Sequence, residues 1–242
     1  MIFRRFRRAV ALGFALARCA VHLGFLRCQG PLTLELRARW LQTAARGVLS
    51  GLKLRVELRG RPAAGGLVVS NHLSYLDILA IASVMPCFFV SKIEVGHWPF
   101  FGWAARMGGT IFVQRGNLAS AVSVAGQIGA RLESEKKIPV LLFPEGTSTD
   151  GSSVHRFHSR LVAPAVALGV PITAAAVRYT MGDGTPEREL CWYGDETFVR
   201  HMWKVLAAGQ FVATVSFGSA QVYEDRRSAA EQTHAQVERL RL

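Results

Sequence analysis

NHLSYLD, Asn71 to Asp77, lies between the apolar run GLVVS and a second one, ILAIASV. Its histidine and aspartate are five positions apart, about 140° around a continuous helix, so on such a helix they would not face each other. The histidine therefore has to precede the helix. With a helix start near Ser74, His72 falls in the connecting loop and turns back over the first helical turn, where Asp77 can receive its imidazole N–H. A buried strand feeding a helix has no need of a histidine at its mouth, so the junction reads as a place where the chain delivers a base. Ser74 and Asp77 also form a capping-box pair, at the N-cap and N3, and that alternative asks nothing else of Asp77.

Outward from this junction, short and fully apolar runs recur: LVVS, CFFVS, TIFVQ, VLLF, ITAAAV and FVATVSF, most of them separated by helical stretches. Buried strands between helices predict an α/β domain. Ahead of them, LKLRVELRG alternates Leu52, Leu54, Val56 and Leu58 with charged residues, the period of a half-buried edge strand. In an α/β sheet the residues at the C-terminal ends of strands converge on one crevice, which would bring together His72, Arg115 after TIFVQ and Glu145 after VLLF.

The 242 residues suit one domain or one domain with an appendage, and 50% hydrophobic residues are enough for a sizeable core. Four cysteines without Cys-x-x-Cys spacing point to neither a disulfide framework nor a zinc site, and fit a reducing cytosolic setting. The net charge of +12 is uneven: residues 1–61 hold 13 Lys/Arg against 2 acidic residues, and the remainder 16 against 15. Such a head seeks an anionic surface, nucleic acid or membrane. Its basic residues are interleaved with aliphatic ones and match no nucleic-acid module, which leaves the anionic lipids of a membrane as the expected partner.

The head opens with Arg4, Arg5, Arg7 and Arg8, then the uncharged run Ala9 to Ala17, then Arg18. Nine residues span about 14 Å, short of the roughly 30 Å hydrocarbon core, so the expectation is a helix lying in the interface with its arginines snorkelling to lipid phosphates. A signal peptide would want a small residue where Arg18 stands. A second helix, in PLTLELRARWLQTAARGVLSG, carries Trp40, Leu41, Ala44, Ala45, Val48 and Leu49 on one broad face. The two are expected to form a hairpin on the bilayer. The charge drop at Arg61-Pro62 divides the chain into 1–61, membrane-associated helices plus the first strand, and 62–242, the α/β domain.

Four blocks, NHLSYLD, IFVQR, FPEGTS and VPIT, in this order and spacing from about Gly65 to Val177, resemble those of the glycerophospholipid acyltransferase family, best known for 1-acyl-glycerol-3-phosphate acyltransferases. The resemblance implies a mixed sheet flanked by helices, on the cytoplasmic face of the cell membrane. It also implies that His72, held by Asp77, takes the proton of an acceptor hydroxyl, which attacks an acyl-carrier protein or coenzyme A thioester. No cofactor or metal is called for. Asn71, Ser74, Lys92, Arg115, Glu145, Gly146 and Thr147 are the expected substrate-binding residues, with Arg115 and the Glu145 turn around the acceptor head.

Three positions depart from the family pattern: Ser148 stands where many relatives have arginine, His158 where lysine is common and Ala174 where proline is common. The loss of two cations weakens the case for a phosphate. The expected acceptor is 1-acyl-sn-glycerol-3-phosphate, with lyso-ornithine lipid or another lyso-aminolipid as the alternative. A non-catalytic membrane adaptor would leave His72, Asp77, Arg115 and Glu145 without purpose. A serine hydrolase would want Gly-x-Ser-x-Gly, which the chain lacks.

Overall fold

The computed structural model describes residues 2–98, 100–114 and 118–242. Two helices lead the chain, α1 (Ile2–Cys28) and α2 (Leu34–Leu52). They are followed by β1 (Leu54–Arg59), β2 (Leu67–Ser70), α3 (Tyr75–Val84), β3 (Phe88–Lys92), α4 (Phe101–Met107), β4 (Ile111–Val113), α5 (Leu118–Ser134) and β5 (Val140–Leu142). After these come α6 (Ser159–Ala167), β6 (Ile172–Met181), α7 (Phe198–Ala207), β7 (Phe211–Phe217) and α8 (Arg226–Arg241).

The strands order as β1-β7-β6-β2-β5-β3-β4, with β6 and β7 antiparallel and the other pairs parallel. This is the mixed, helix-flanked sheet expected from the sequence. Each apolar run forms a strand, and LKLRVELRG supplies the edge strand β1, with Arg55, Glu57 and Arg59 exposed. Pleating sorts the interior strands onto two faces. Val68, Ala175 and Val177 pack with α2 and α3, whereas Leu67, Val69, Ala174 and Ala176 pack with α5, α6 and α8.

Helix α2 is capped by Thr33, whose side chain accepts from Leu36 N at 3.2 Å. Its apolar face forms as expected but turns into the protein: Trp40, Leu49 and Leu52 share one cluster with Ile81 and Phe211, and Trp40 Nε1 donates to the Cys19 carbonyl at 3.0 Å. Helix α1 buries a narrower stripe, Arg8, Ala15, Cys19 and Leu23, and leaves Phe3, Phe6, Phe14, Val21 and Phe25 exposed.

Two expectations about α1 change. The helix runs through Arg18 for 27 residues and by length and composition alone is long enough to cross a membrane, which a count stopping at Arg18 understates. Arg4 and Arg8, expected to reach lipid phosphates, are instead bonded to the last carbonyls of α7. Carbonyls in the last turn of a helix run short of intrahelical amide partners, Val205 O having only Ala208 N at 3.3 Å, and a guanidinium satisfies several at once.

Candidate functional site

The loop after β2 begins with Asn71, whose Nδ2 donates to Val177 O at 3.0 Å while its Oδ1 accepts from Val177 N at 2.8 Å. The side chain thereby adds a rung to the β2–β6 ladder. His72 follows and is held on every side but one. Its N–H donates to Glu145 Oε1 at 2.6 Å, and its carbonyl accepts from Thr149 N at 2.9 Å. Its ring stacks on Phe143 with centroids 4.1 Å apart, and Nδ1 lies 2.8 Å from Asp77 Oδ2. The Nε2 edge has no protein partner among the described residues.

Asp77 is fully buried and accepts four hydrogen bonds. Oδ2 takes the His72 ring, Leu73 N at 2.6 Å and Ser74 N at 2.9 Å; Oδ1 takes the Tyr179 hydroxyl. A carboxylate surrounded by donors fixes the tautomer: His72 carries its proton on Nδ1 and keeps a lone pair on Nε2. Ser74 also caps α3, so the capping box and the His72 contact coexist on one carboxylate.

Glu145 bridges two loops. Its Oε1 accepts from His72 N and its Oε2 from His155 N at 2.7 Å. Burial pushes its carboxyl up from the ordinary range, and the two amides oppose that shift. The turn that delivers it requires Gly146 at a φ of 74°, a conformation that glycine adopts without a Cβ penalty.

His72 faces a cavity of about 1290 Å³. Ile78, Val90, Ile128, Leu142 and Leu161 give it an apolar wall, and Lys92, Arg156 and Arg160 set three cations against Glu94 and Glu145. Neither Arg156 nor Arg160 pairs with a carboxylate among the described residues. The segment that carries them is strapped down by His155 N to Glu145 and by His158 N to Pro144 O at 2.9 Å.

The structure thus gathers His72, Lys92, Glu145, Gly146 and Thr147 around one cavity, with Asp77 directly behind His72. Asn71 and Ser74 do not line it; both are buried and use their polar atoms on backbone, which argues against the expected substrate contact. Arg115 lies outside the described residues. Of the departures, Ser148 donates to the Trp192 carbonyl, His158 stands on the cavity wall and Ala174 is buried in β6. Sequence reading missed Thr149, Tyr179, Arg156 and Arg160. Strand parity offered a signal for Tyr179, which shares a face of β6 with Ala175 and Val177.

A family model described as Acyltransferase matches residues 53–178. The lyso-ornithine lipid O-acyltransferase of Pseudomonas aeruginosa is 35% identical over 177 residues, which are 73% of this chain and 66% of that protein. The chain therefore spans just under two thirds of that relative's length. The 1-acyl-sn-glycerol-3-phosphate acyltransferase of Neisseria meningitidis serogroup B is 29% identical over 232 residues, 93% of this chain and 88% of that one. Among solved structures, the 1-acyl-sn-glycerophosphate acyltransferase PlsC of Thermotoga maritima matches 98% of this chain and 95% of its own, with a TM-score of 0.67. At 18% identity that likeness speaks for the fold alone. The family model covers more than half of the sequence, including both the His72 loop and the Glu145 turn, and the chain belongs to the acyltransferase family.

Proposed function

We propose that the protein transfers a fatty acyl group from an acyl-carrier protein or coenzyme A thioester to the free hydroxyl of a lyso-lipid, at the cytoplasmic face of a membrane. The observation that carries this reading is the immobilised His72, with only its Nε2 edge left toward the cavity. Nε2 takes the acceptor's hydroxyl proton as the oxygen attacks the thioester carbonyl; the C–O bond forms, the C–S bond breaks, and the thiolate leaves with the proton from the imidazolium. Asp77 stabilises the charged ring. A base so positioned contributes about 10²- to 10⁴-fold.

The apolar wall suits an acyl chain, and Lys92, Arg156 and Arg160 suit an anionic acceptor head. The favoured acceptor is lyso-ornithine lipid, whose head carries a carboxylate and an amine. It fits a site where Ser148 is turned to a backbone carbonyl instead of offering a cation, and the Pseudomonas relative bears that name. Lysophosphatidate is the second reading, supported by the longer match to the Neisseria enzyme. Side-on packing of α1 against α2 and α7, with its aromatic stripe outward, favours a helix lying on the bilayer.

The test offers acyl-carrier-protein and coenzyme A thioesters with a panel of lyso-lipids and follows thiol release. Acceptor-dependent release is expected. A full panel without turnover, from folded protein in lipid or detergent, would leave the adaptor reading standing.

A further inference from the structure

We propose that Tyr179 is a positioning residue for proton transfer at His72, acting through the buried hydrogen bond from its hydroxyl to the Oδ1 of Asp77. The proposal rests on the acyl-transfer reading above, in which His72 is the base. Asp77 meets His72 through Oδ2 alone, so whatever holds Oδ1 sets both the angle of the carboxylate and the share of its charge that reaches the ring. Tyr179 is the partner that occupies Oδ1 among the described residues.

Tyr179 is itself firmly held. It is 1% exposed in the core of β6, and its N–H donates to Glu187 Oε1 at 2.7 Å. Arg241 of α8 bonds Glu187 Oε2 at 2.6 Å and the Gly151 carbonyl at 2.9 Å, joining this strand to the loop whose Thr149 clamps His72. Burial, reinforced by the Asp77 charge, pushes the phenol well above its ordinary range, so it stays a donor at any working pH. The titratable groups around the pair are His72 on the loop before α3, Glu187 and Cys191 after β6, Glu145 and His155 across the β5 loop, and Arg241, which is paired with Glu187.

Tyr179→Phe removes the Oδ1 donor and keeps the ring. More of the Asp77 charge then falls on His72, which favours the protonated imidazole. The expected result is an acid limb of kcat/KM displaced to higher pH by about half to one unit, with activity on the alkaline side returning to within about threefold of the parent. Proton NMR titration of His72, assigned by its loss in His72→Ala, should move in the same direction and needs no turnover.

A uniform loss at all pH values with an unmoved limb would mark Tyr179 as merely structural and overturn the proposal, as would no change at all. If Tyr179→Phe does not fold, replacing the four tyrosines with 3-fluorotyrosine in the unaltered sequence gives a stronger phenol donor. The limb should then move to lower pH, and a fixed limb overturns the proposal. A parent protein that releases no thiol sinks the acyl-transfer reading instead, and the NMR titration still reports on Tyr179.

Discussion

The guanidinium of Arg8 donates to the carbonyl of Ala208 at 2.7 Å, across 200 residues of sequence. The same group reaches Val205 O at 3.1 Å and Gly209 O at 2.9 Å, so one arginine of the basic head closes the C-terminus of α7. A cation suits that end of a helix dipole, and its burial explains why its own pKa is lowered.

Arg8→Ala should therefore destabilise the protein by about 2 kcal/mol, because it removes several buried and part-buried bonds to the end of α7, of which Arg4 can replace only those at Ala207 and Ala208. At this chain length that is roughly 4–8 °C in Tm. Arg7→Ala, on the exposed side, should stay within about 0.5 kcal/mol. Equal effects of the two in thermal melts in detergent would contradict the capping role.

His72→Ala should abolish transfer with little change in Tm, since the ring makes one bond and one stacking contact. Asp77→Asn should lower both. Its amide cannot accept from the Leu73, Ser74 and His72 donors as the carboxylate does, and it weakens the α3 cap, a loss of about 1 kcal/mol or more. An Asp77→Asn protein with parental turnover would rule out the proposed orienting role.

Arg156→Ala combined with Arg160→Ala should raise KM for an anionic lyso-lipid by about tenfold or more and leave kcat within a fewfold, the pattern of a grip made equally in ground and transition states. Because both side chains are exposed, added salt should erode the difference. If KM for the acyl donor rises instead, the cations belong to the thioester partner.

Glu145→Gln should lower Tm, because one amide hydrogen of the new side chain must face either His72 N or His155 N. The pH dependence has a definite sign. A carboxyl whose folded pKa is raised adds stability that is present at acid pH and lost as pH rises through the folded value. The variant cannot titrate there, so its deficit should widen as pH falls through the raised carboxyl value toward the ordinary carboxylate range. Melts in which the deficit narrows would contradict the assigned direction.

Replacing Phe3, Phe6 and Phe14 with serine should shift the protein out of the membrane fraction, while 1 M salt should release little of the parent. Exposed aromatic burial survives a Debye length cut from about 8 Å to about 3 Å, and pure charge attraction does not. Complete release of the parent by salt would count against an embedded α1.

Much of this protein is legible in the chain itself. The apolar runs specify the strands because full burial between helices demands uninterrupted hydrophobes, and the five-residue interval of His72 and Asp77 forces the histidine off the helix and back over its first turn. Periodicity also marked the Trp40 face of α2 as apolar, but not what would cover it. Tertiary structure decided that this face belongs to the core, that Arg8 serves α7, and that Asn71 and Ser74 turn away from the cavity. It alone brought Tyr179 to Asp77 and Thr149 to His72, contacts across 102 and 77 residues. Local pattern reports which side of a strand or helix is apolar or polar, whereas the partner of each polar group is chosen by elements that meet only when the sheet has formed.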